Sequence, residues 1–224
     1  MEVPGYTPAI VAVPRDAVGP RPLLVAAHGA GDRGEWHCRI WSEVTEGRGF
    51  VLCPQGRRID ERVPHADALY YYPDHRALDR ELTAALAALE QAVGPRLDRS
   101  RALYAGFSQG AIFGALIVAA RAAELPRALL IEGGHGHYKE WNKAAAQKLA
   151  RGASGGARVF FGCGGVWCAQ GARETSAMLQ SAGVGARLGY AEGVGHSMGG
   201  AMQDELRKGF AWITEDDPRW AAVR

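Results

Sequence analysis

The chain has 224 residues, of which 47% are hydrophobic and 22% are charged, and its formal net charge is +2. This length is enough for one globular domain with a large core, and this composition excludes an intrinsically disordered protein. The 26 basic and 24 acidic residues are interspersed along the sequence, which argues against nucleic acid as a partner. We expect a single domain over residues 1–224.

Two further classes are disfavoured by the sequence. No segment approaches the ~20 consecutive apolar residues that a membrane-spanning helix needs. Residues 1–10 lack the apolar core of a signal peptide. We therefore expect no membrane span, and the sequence leaves the cellular compartment open.

Short apolar runs alternate with segments of helical periodicity. The predicted strands are residues 9–13, 23–27, 50–53, 101–105, 128–131, 158–161 and 186–190. Nearly continuous apolar runs of this kind are typical of strands buried on both faces of a parallel sheet. The predicted helices are residues 75–93, with Asp74 as the capping residue, and 109–123, 138–150, 170–181 and 199–213. The alternation predicts an α/β fold, with a mostly parallel central sheet flanked by helices.

The strongest motif is Gly-Phe-Ser-Gln-Gly at residues 106–110, which has the form G-x-S-x-G. A predicted strand precedes it and a predicted helix follows it, which is the context of a nucleophile elbow. The glycines leave room for a tight turn that presents the Ser108 hydroxyl beyond the sheet. The helix N-terminus then faces the negative charge that develops on a substrate. We therefore predict that Ser108 is a nucleophile.

A serine hydroxyl needs a base to act as a nucleophile near neutral pH. His196 lies in Gly-His-Ser-Met at residues 195–198, between the last predicted strand and the last predicted helix. The neighbouring glycine permits a loop that brings the imidazole to the serine, so we predict His196 as the base. His37, His65 and His75 have no comparable placement, and we expect them at the surface.

The segment 23–32, Leu-Leu-Val-Ala-Ala-His-Gly-Ala-Gly-Asp, runs from a predicted buried strand into a turn of small residues. A backbone N–H of Ala30 or Gly31, together with that of Gln109, is predicted to bind the oxyanion of a tetrahedral intermediate. His28 is expected to be structural and to hold this loop by hydrogen bonds.

Four motifs together resemble the α/β-hydrolases: HGAGD at 28–32, PQG at 54–56, GFSQG at 106–110 and GHSM at 195–198. Within that superfamily they resemble the phospholipase/carboxylesterase group, which includes acyl-protein thioesterases and dienelactone-hydrolase-like proteins. The resemblance covers residues 23–212. It implies Ser108 as nucleophile, His196 as base, and the N–H groups of Ala30 and Gln109 as oxyanion donors. Dienelactone hydrolases use a cysteine where this chain has Ser108, which argues against that activity.

The acidic member of the triad departs from the pattern of this group. The acid normally follows the sixth predicted strand, but Gly165 stands at that position. Glu132 ends the preceding strand, and the order Ser, Glu, His satisfies the chain order of α/β-hydrolase triads. A buried carboxylate there would fix the imidazole tautomer, so we predict Glu132 as the acid. Glu192, Asp67 or Asp32 are alternatives, as is a Ser–His dyad or an impaired enzyme.

These features predict a serine esterase that needs no cofactor or metal and acts on a small-molecule ester as monomer or homodimer. Residues 54–73 form an irregular segment after a strand. Its Tyr71 and Tyr72, with Trp36 and Trp167, are predicted to line the substrate site. No insertion is long enough for a large lid, which favours an open cleft and short-to-medium acyl chains. A thioesterase, a lactone or polyester hydrolase, and a binding protein on an inactive hydrolase fold are the alternatives.

The chain has four cysteines, at positions 38, 53, 163 and 168. Four cysteines allow three pairings. Their grouping suggests Cys38–Cys53 and Cys163–Cys168 in an oxidising compartment, and buried thiols otherwise. A zinc site formed by the two later cysteines with His135 and His137 is a weaker alternative, because the spacing matches none of the usual patterns.

Overall fold

A computed structural model describes residues 1–15, 19–154 and 156–221 of the protein. Within these residues one sheet has seven strands, in the spatial order β1-β3-β2-β6-β7-β8-β9. In chain order the strands, including a separate two-stranded hairpin (β4 and β5), are β1 (Ile10–Ala12), β2 (Arg21–Ala27), β3 (Phe50–Cys53), β4 (Arg57–Arg58), β5 (Tyr70–Tyr71), β6 (Leu97–Phe107), β7 (Arg127–Ile131), β8 (Arg158–Cys163) and β9 (Gly185–Tyr190). β1 is antiparallel to β3, and all the other pairs in the large sheet are parallel.

Helices cover both faces of the large sheet. They are α1 (Gly34–Val44), α2 (His75–Val93), α3 (Gln109–Ala120), α4 (Lys143–Gly152), α5 (Val166–Ser181) and α6 (Met202–Thr214). Alternate residues of β2 belong to two separate cores: Leu23 and Val25 pack with α2 to α5, whereas Leu24 and Ala26 pack with α1 and α6. The strands are therefore buried on both faces, as their continuous apolar sequences predicted. No helix in the described part of the chain is long and apolar enough to cross a membrane.

All seven predicted strands are present, with small differences at their ends. Helix α2 begins after Asp74, whose side chain accepts a hydrogen bond from Ala77 N–H, as the capping prediction required. Helix α4 is shorter than predicted and begins only at Lys143. The preceding residues form a turn in which the buried Trp141 donates a hydrogen bond to Gly134 O at 2.8 Å.

Helix α1 was not predicted. Its buried positions include His37 and Cys38 beside Trp41 and Val44. These positions recur at a spacing of three or four residues, as in an amphipathic helix, but no element was assigned to this segment from the sequence. His37 was expected at the surface, but it is 2% exposed. That expectation is wrong because α1 places the imidazole against Asp32 and the ring of Phe107.

Both cysteine pairs suggested by the sequence are disulfides. Cys38–Cys53 joins α1 to β3, and Cys163–Cys168 joins the end of β8 to the first turn of α5. The zinc alternative is not supported, because the sulfurs of Cys163 and Cys168 are bonded to each other. Within the described residues no group of three or more His, Cys, Asp or Glu side chains is arranged to hold a metal ion.

Candidate active site

Ser108 lies in the turn between β6 and α3, with φ 50° and ψ −115°. Its N–H donates a hydrogen bond to Ile131 O at 2.8 Å, which attaches the turn to the end of β7. A Cβ on Gly106 would lie 2.6 Å from the carbonyl carbon of Gly110, and one on Gly110 would collide with Ala27 O. The motif needs both glycines because β6, α3 and β2 meet there. A positive φ at a serine is strained, and such strain concentrates at functional sites.

Glu132 follows β7 directly and has φ 51°. Its side chain is 6% exposed, and both carboxylate oxygens are engaged. Oε1 accepts a hydrogen bond from Gly164 N–H, and Oε2 lies 3.3 Å from Nδ1 of His196. The tautomer of His196 with its proton on Nδ1 can donate a hydrogen bond along this contact to the carboxylate. Nε2 of His196 then carries a lone pair, the state that a base requires.

His196 lies on the loop between β9 and α6, and its side chain is 57% exposed. Its ring centroid is 4.9 Å from that of Phe107, the residue before Ser108. The serine and the imidazole are thus at the same edge of the sheet. Within the described residues no hydrogen bond joins Ser108 Oγ to His196. In unliganded enzymes such contacts are commonly long and tighten when substrate binds.

The other carboxylates considered from the sequence do not contact His196. Asp32 Oδ2 instead accepts a hydrogen bond from Nε2 of His37 at 2.7 Å. Burial raises the pKa of Asp32, but the hydrogen bond and charge of His37 outweigh it and hold the pKa below its ordinary value. The Asp32–His37 pair therefore joins the loop after β2 to α1. Glu192 and Asp67 are exposed, and in the described chain neither contacts the imidazole.

The loop after β2 lies against the serine turn. A Cβ on Gly29 would be 3.2 Å from the Cβ of Ser108. The N–H of Gly31 donates to Tyr70 O at 2.8 Å, so this N–H is already engaged. The N–H of Ala30, by contrast, makes no hydrogen bond to any described residue, and the residue is exposed. Of the two donors that the sequence left open, Ala30 is the one that remains available.

The second available donor is at the start of α3. Gln109 is the first residue of this helix, and its N–H has no partner among the described residues. The next N–H, of Gly110, donates to His28 O at 3.1 Å and joins the two loops. Ala30 and Gln109 thus present two unpaired N–H groups on either side of the serine turn, where the helix dipole adds positive potential.

Buried side chains hold this arrangement from below. The His28 ring lies between the carbonyl oxygens of Gly29 and Gln55, at 2.7 and 2.9 Å. Burial lowers the pKa of His28, and the contacts with the two carbonyl oxygens, which favour a protonated ring, partly oppose that effect. Its place under the loop agrees with the structural role expected from the sequence.

The predicted substrate-contacting aromatics occupy different environments. Tyr72 is fully buried; its hydroxyl donates to Pro54 O at 2.9 Å and its N–H to the side-chain oxygen of Gln109 at 2.8 Å. It supports the site from inside, and its side chain offers no surface to a substrate. Tyr71 is half-buried in β5. Trp167 is 82% exposed at the start of α5, beside His135 and His137.

Trp36 lies in an open cleft of about 390 Å³ between the loop after β2 and the His196 loop. Its side chain and three others give the cleft an apolar wall, and the imidazole of His196 forms part of its rim. The apolar wall consists of Trp36, Ile40, Phe107 and Met198. No described element covers this cleft as a large lid.

No family model and no curated protein sequence matches this chain. Its fold, however, is similar to several solved structures. The carboxylesterase of Bacillus cereus has a TM-score of 0.62 and 19% identity, with 92% of this chain and 93% of that chain aligned. Esterase PE8 has a TM-score of 0.65 and 20% identity over 93% and 98%. The fluorophosphonate-binding serine hydrolase FphF of Staphylococcus aureus has a TM-score of 0.62 and 15% identity over 93% and 92%.

Proposed function

We propose that this chain, which has the α/β-hydrolase fold, is a serine hydrolase that cleaves carboxylic esters through an acyl-enzyme. The similar structures include a carboxylesterase, an esterase and a serine hydrolase. At identities of 15–20% their names support this proposal only through the fold.

The observation that carries the proposal is the contact of Glu132 with His196 beside the strained Ser108 turn. The buried carboxylate lies 3.3 Å from Nδ1, and with the proton on Nδ1 the ring keeps Nε2 free. It also stabilises the imidazolium that forms when the ring takes a proton. A binding protein on an inactive hydrolase fold would have no physical reason to retain both the charged contact and the strained turn.

In the first half of the reaction, Nε2 of His196 takes the hydroxyl proton as Ser108 Oγ attacks the carbonyl carbon. The carbonyl oxygen becomes an oxyanion, and the N–H groups of Ala30 and Gln109 donate hydrogen bonds to it. The C–O bond of the ester then breaks, and the alcohol leaves with the proton from Nε2. The acyl group remains bonded to Oγ of Ser108.

In the second half, a water molecule replaces the alcohol. Nε2 of His196 takes a proton from this water, and the resulting hydroxide attacks the acyl carbon. The same two N–H groups bind the second oxyanion. Collapse of this intermediate breaks the bond to Oγ, the imidazolium returns its proton to Oγ, and the carboxylic acid is released. Each step uses groups of the chain, water and substrate alone.

The cleft beside His196 favours substrates of modest size. A volume of about 390 Å³ is at the lower end of the range of ligand sites, roughly 300–1,000 Å³. Its wall of Trp36, Ile40, Phe107 and Met198 suits an apolar acyl chain. We propose short-to-medium acyl esters of soluble alcohols as substrates, and Tyr71 and Trp167 as further contacts at the rim of the site.

Hydrolysis of p-nitrophenyl esters from acetate to decanoate tests the proposal. We expect activity in the parent protein that peaks at short or medium chains. Ser108→Ala should lower kcat by about four orders of magnitude or more, because no nucleophile remains. Ser154→Ala is the matched control. Ser154 lies in the turn after α4, 46 residues after Ser108 in the sequence, and its substitution should leave kcat unchanged.

Labelling with a fluorophosphonate gives an independent readout of the same proposal. The parent should bind one probe per chain at Ser108, and Ser108→Ala should bind none. A parent that neither hydrolyses any ester nor reacts with the probe would contradict the proposed function and favour a binding role.

A further inference from the structure

One glycine, Gly164, links Glu132, the proposed triad acid, to the loop that carries His196. Gly164 follows β8, and its N–H donates a hydrogen bond to Oε1 of Glu132. Its carbonyl oxygen accepts from the N–H of Gly195 at 3.4 Å. Gly195 immediately precedes His196. Gly164 therefore contacts both the carboxylate and the loop that carries the imidazole.

This position requires a glycine and is for that reason intrinsically flexible. A Cβ on Gly164 would collide with the backbone of Gly195. The next residue is also a glycine, Gly165. Two successive glycines lose more conformational freedom on ordering than any other pair of residues, so the hydrogen bond to Glu132 needs an external constraint if it is to be maintained.

The Cys163–Cys168 disulfide supplies that constraint. It closes a ring of six residues that contains both glycines, and it attaches the ring to β8 on one side and to α5 on the other. Cys163 is 1% exposed and Cys168 is 7% exposed, so the bond is packed into the core. In addition, Cys163 O accepts from the N–H of Ala191 at 2.9 Å, at the start of the loop that leads to His196.

We propose that the Cys163–Cys168 disulfide is a positioning element of the active site, which holds Gly164 against Glu132 and so orients the carboxylate towards His196. The inference rests on the proposed function, because it assigns a role within that reaction. Cys163 and Cys168 touch neither substrate nor the reacting atoms. They act on the rate through the orientation of Glu132.

The other disulfide provides a matched control. Cys38–Cys53 spans 15 residues of sequence and Cys163–Cys168 spans five. Loop closure makes the longer disulfide the more stabilising of the two. Cys38 and Cys53 make no contact with Glu132, Gly164 or His196 among the described residues. A purely structural role for both disulfides thus predicts that removing Cys38–Cys53 is the more damaging change.

The experiment compares kcat and KM of Cys163→Ala/Cys168→Ala with those of Cys38→Ala/Cys53→Ala, at a temperature where circular dichroism shows both to be folded. We expect kcat of the first variant to fall by about 10- to 100-fold, the cost of a small misplacement of a catalytic group. KM should change less than kcat, because residues 163–168 do not line the cleft that contains Trp36; a small rise in KM is compatible with the inference, since the ring carries Trp167, a proposed contact at the rim. The second variant should retain a kcat close to that of the parent.

Glu132→Gln, introduced into the parent and into Cys163→Ala/Cys168→Ala, tests whether the effect passes through Glu132. If the disulfide acts by orienting this carboxylate, the combined variant should be no slower than Glu132→Gln alone, since interacting groups are not additive. Losses that multiply would overturn the inference. So would equal losses of kcat in the two disulfide variants, or no loss in either.

If the double variant does not fold, Cys168→Ala alone opens the ring with a smaller change to the core, and the same predictions apply. Failure of the inference is distinguishable from failure of the proposed function. An active parent that loses its activity in Ser108→Ala but keeps it without Cys163–Cys168 contradicts only the positioning role.

Discussion

Glu132 combines a left-handed backbone, a buried carboxylate and two hydrogen-bonding partners in one residue. Burying a carboxylate at the end of an apolar strand is costly unless it is paired. Here Gly164 N–H and Nδ1 of His196 provide the pairing. Both contacts support the proposed role of Glu132 as the carboxylate that orients the imidazole.

For Glu132→Gln we expect kcat to fall by about 10²- to 10⁴-fold with little change in KM, because the amide no longer stabilises the imidazolium or fixes its tautomer. Ester hydrolysis measures this directly. Glu192→Gln is the control, since Glu192 is exposed on the same loop as His196. Full activity of Glu132→Gln would remove this residue from the triad.

The location of the acyl group can be tested by comparing Trp36→Ala with Trp167→Ala. Trp36 is 54% exposed in the cleft beside His196, whereas Trp167 is 82% exposed near His137. We expect Trp36→Ala to raise KM for hexanoate esters about tenfold and that for acetate less, because only the longer chain loses apolar contact. Trp167→Ala should have the smaller effect. The reverse order would place the acyl chain at the start of α5.

At the scale of elements, the best-determined boundary is the start of α2. Asp74 has an extended backbone, and its side chain accepts from Ala77 N–H at 2.8 Å. This interaction satisfies one of the free N–H groups in the first turn. The residue type, the position before an apolar period and the observed bond all agree.

Asp74→Ala should lower the free energy of unfolding, because the N–H of Ala77 loses its capping acceptor. Asp74→Asn should lower it much less, because asparagine is an equally good capping residue. Urea denaturation of the three proteins gives the comparison. Equal losses for alanine and asparagine would show that the charge of Asp74, and not the cap, supplies the stability.

The Cys38–Cys53 disulfide stabilises α1, the helix that the sequence did not reveal. It closes a loop with a sequence separation of 15. In the loop-entropy description this contributes about 3 kcal/mol to the free energy of unfolding. Denaturation of Cys38→Ala/Cys53→Ala should show a loss of this size, and a smaller loss for Cys163→Ala/Cys168→Ala. The opposite order would mean that packing rather than loop closure dominates.

At the scale of the whole molecule, an ion-pair network lies at the edge of the sheet opposite the candidate active site. The buried Arg127 at the start of β7 donates to Ile213 O at 2.6 Å and to the carboxylate of Asp216 at 2.7 and 3.0 Å. These bonds hold the end of α6 against the sheet. The hydrogen bonds from Arg127 also keep the pKa of Asp216 below its ordinary value.

The lowered pKa of Asp216 determines how this ion pair changes the free energy of unfolding with pH. The folded pKa of Asp216 is lower than its unfolded value of about 3.9, so the ion pair stabilises the fold above that value. The stabilisation is lost as the pH falls through the folded pKa.

We expect Asp216→Asn to reduce the free energy of unfolding by about 1 kcal/mol at pH 7, a modest figure because the carboxylate is half-exposed. Denaturation at pH 7, 5 and 3 should show this difference shrinking at the lowest pH. A difference independent of pH would exclude the ion pair as its cause.

Local patterns in the sequence determined most of the fold. The seven strands of the large sheet, five of the six helices in the described chain, the cap at Asp74 and the glycines around Ser108 follow from periodicity, capping and steric limits between near neighbours. Ser108, His196 and Glu132 were each singled out by position relative to a predicted strand or helix. Their assigned roles remain predictions until the variants are measured.

The surroundings of the candidate site residues depend instead on packing between segments that are distant in the sequence. From its turn of small residues alone, the sequence left Ala30 and Gly31 open as candidate oxyanion donors. The fold brings Tyr70 O to the N–H of Gly31 and leaves that of Ala30 available. The sequence suggested Tyr72 as a substrate contact, whereas the fold buries that side chain under the site. The contact of Glu132 with His196 crosses 64 residues of sequence. Local propensity carries no information about such pairs, since they depend on which buried faces meet when the whole sheet assembles.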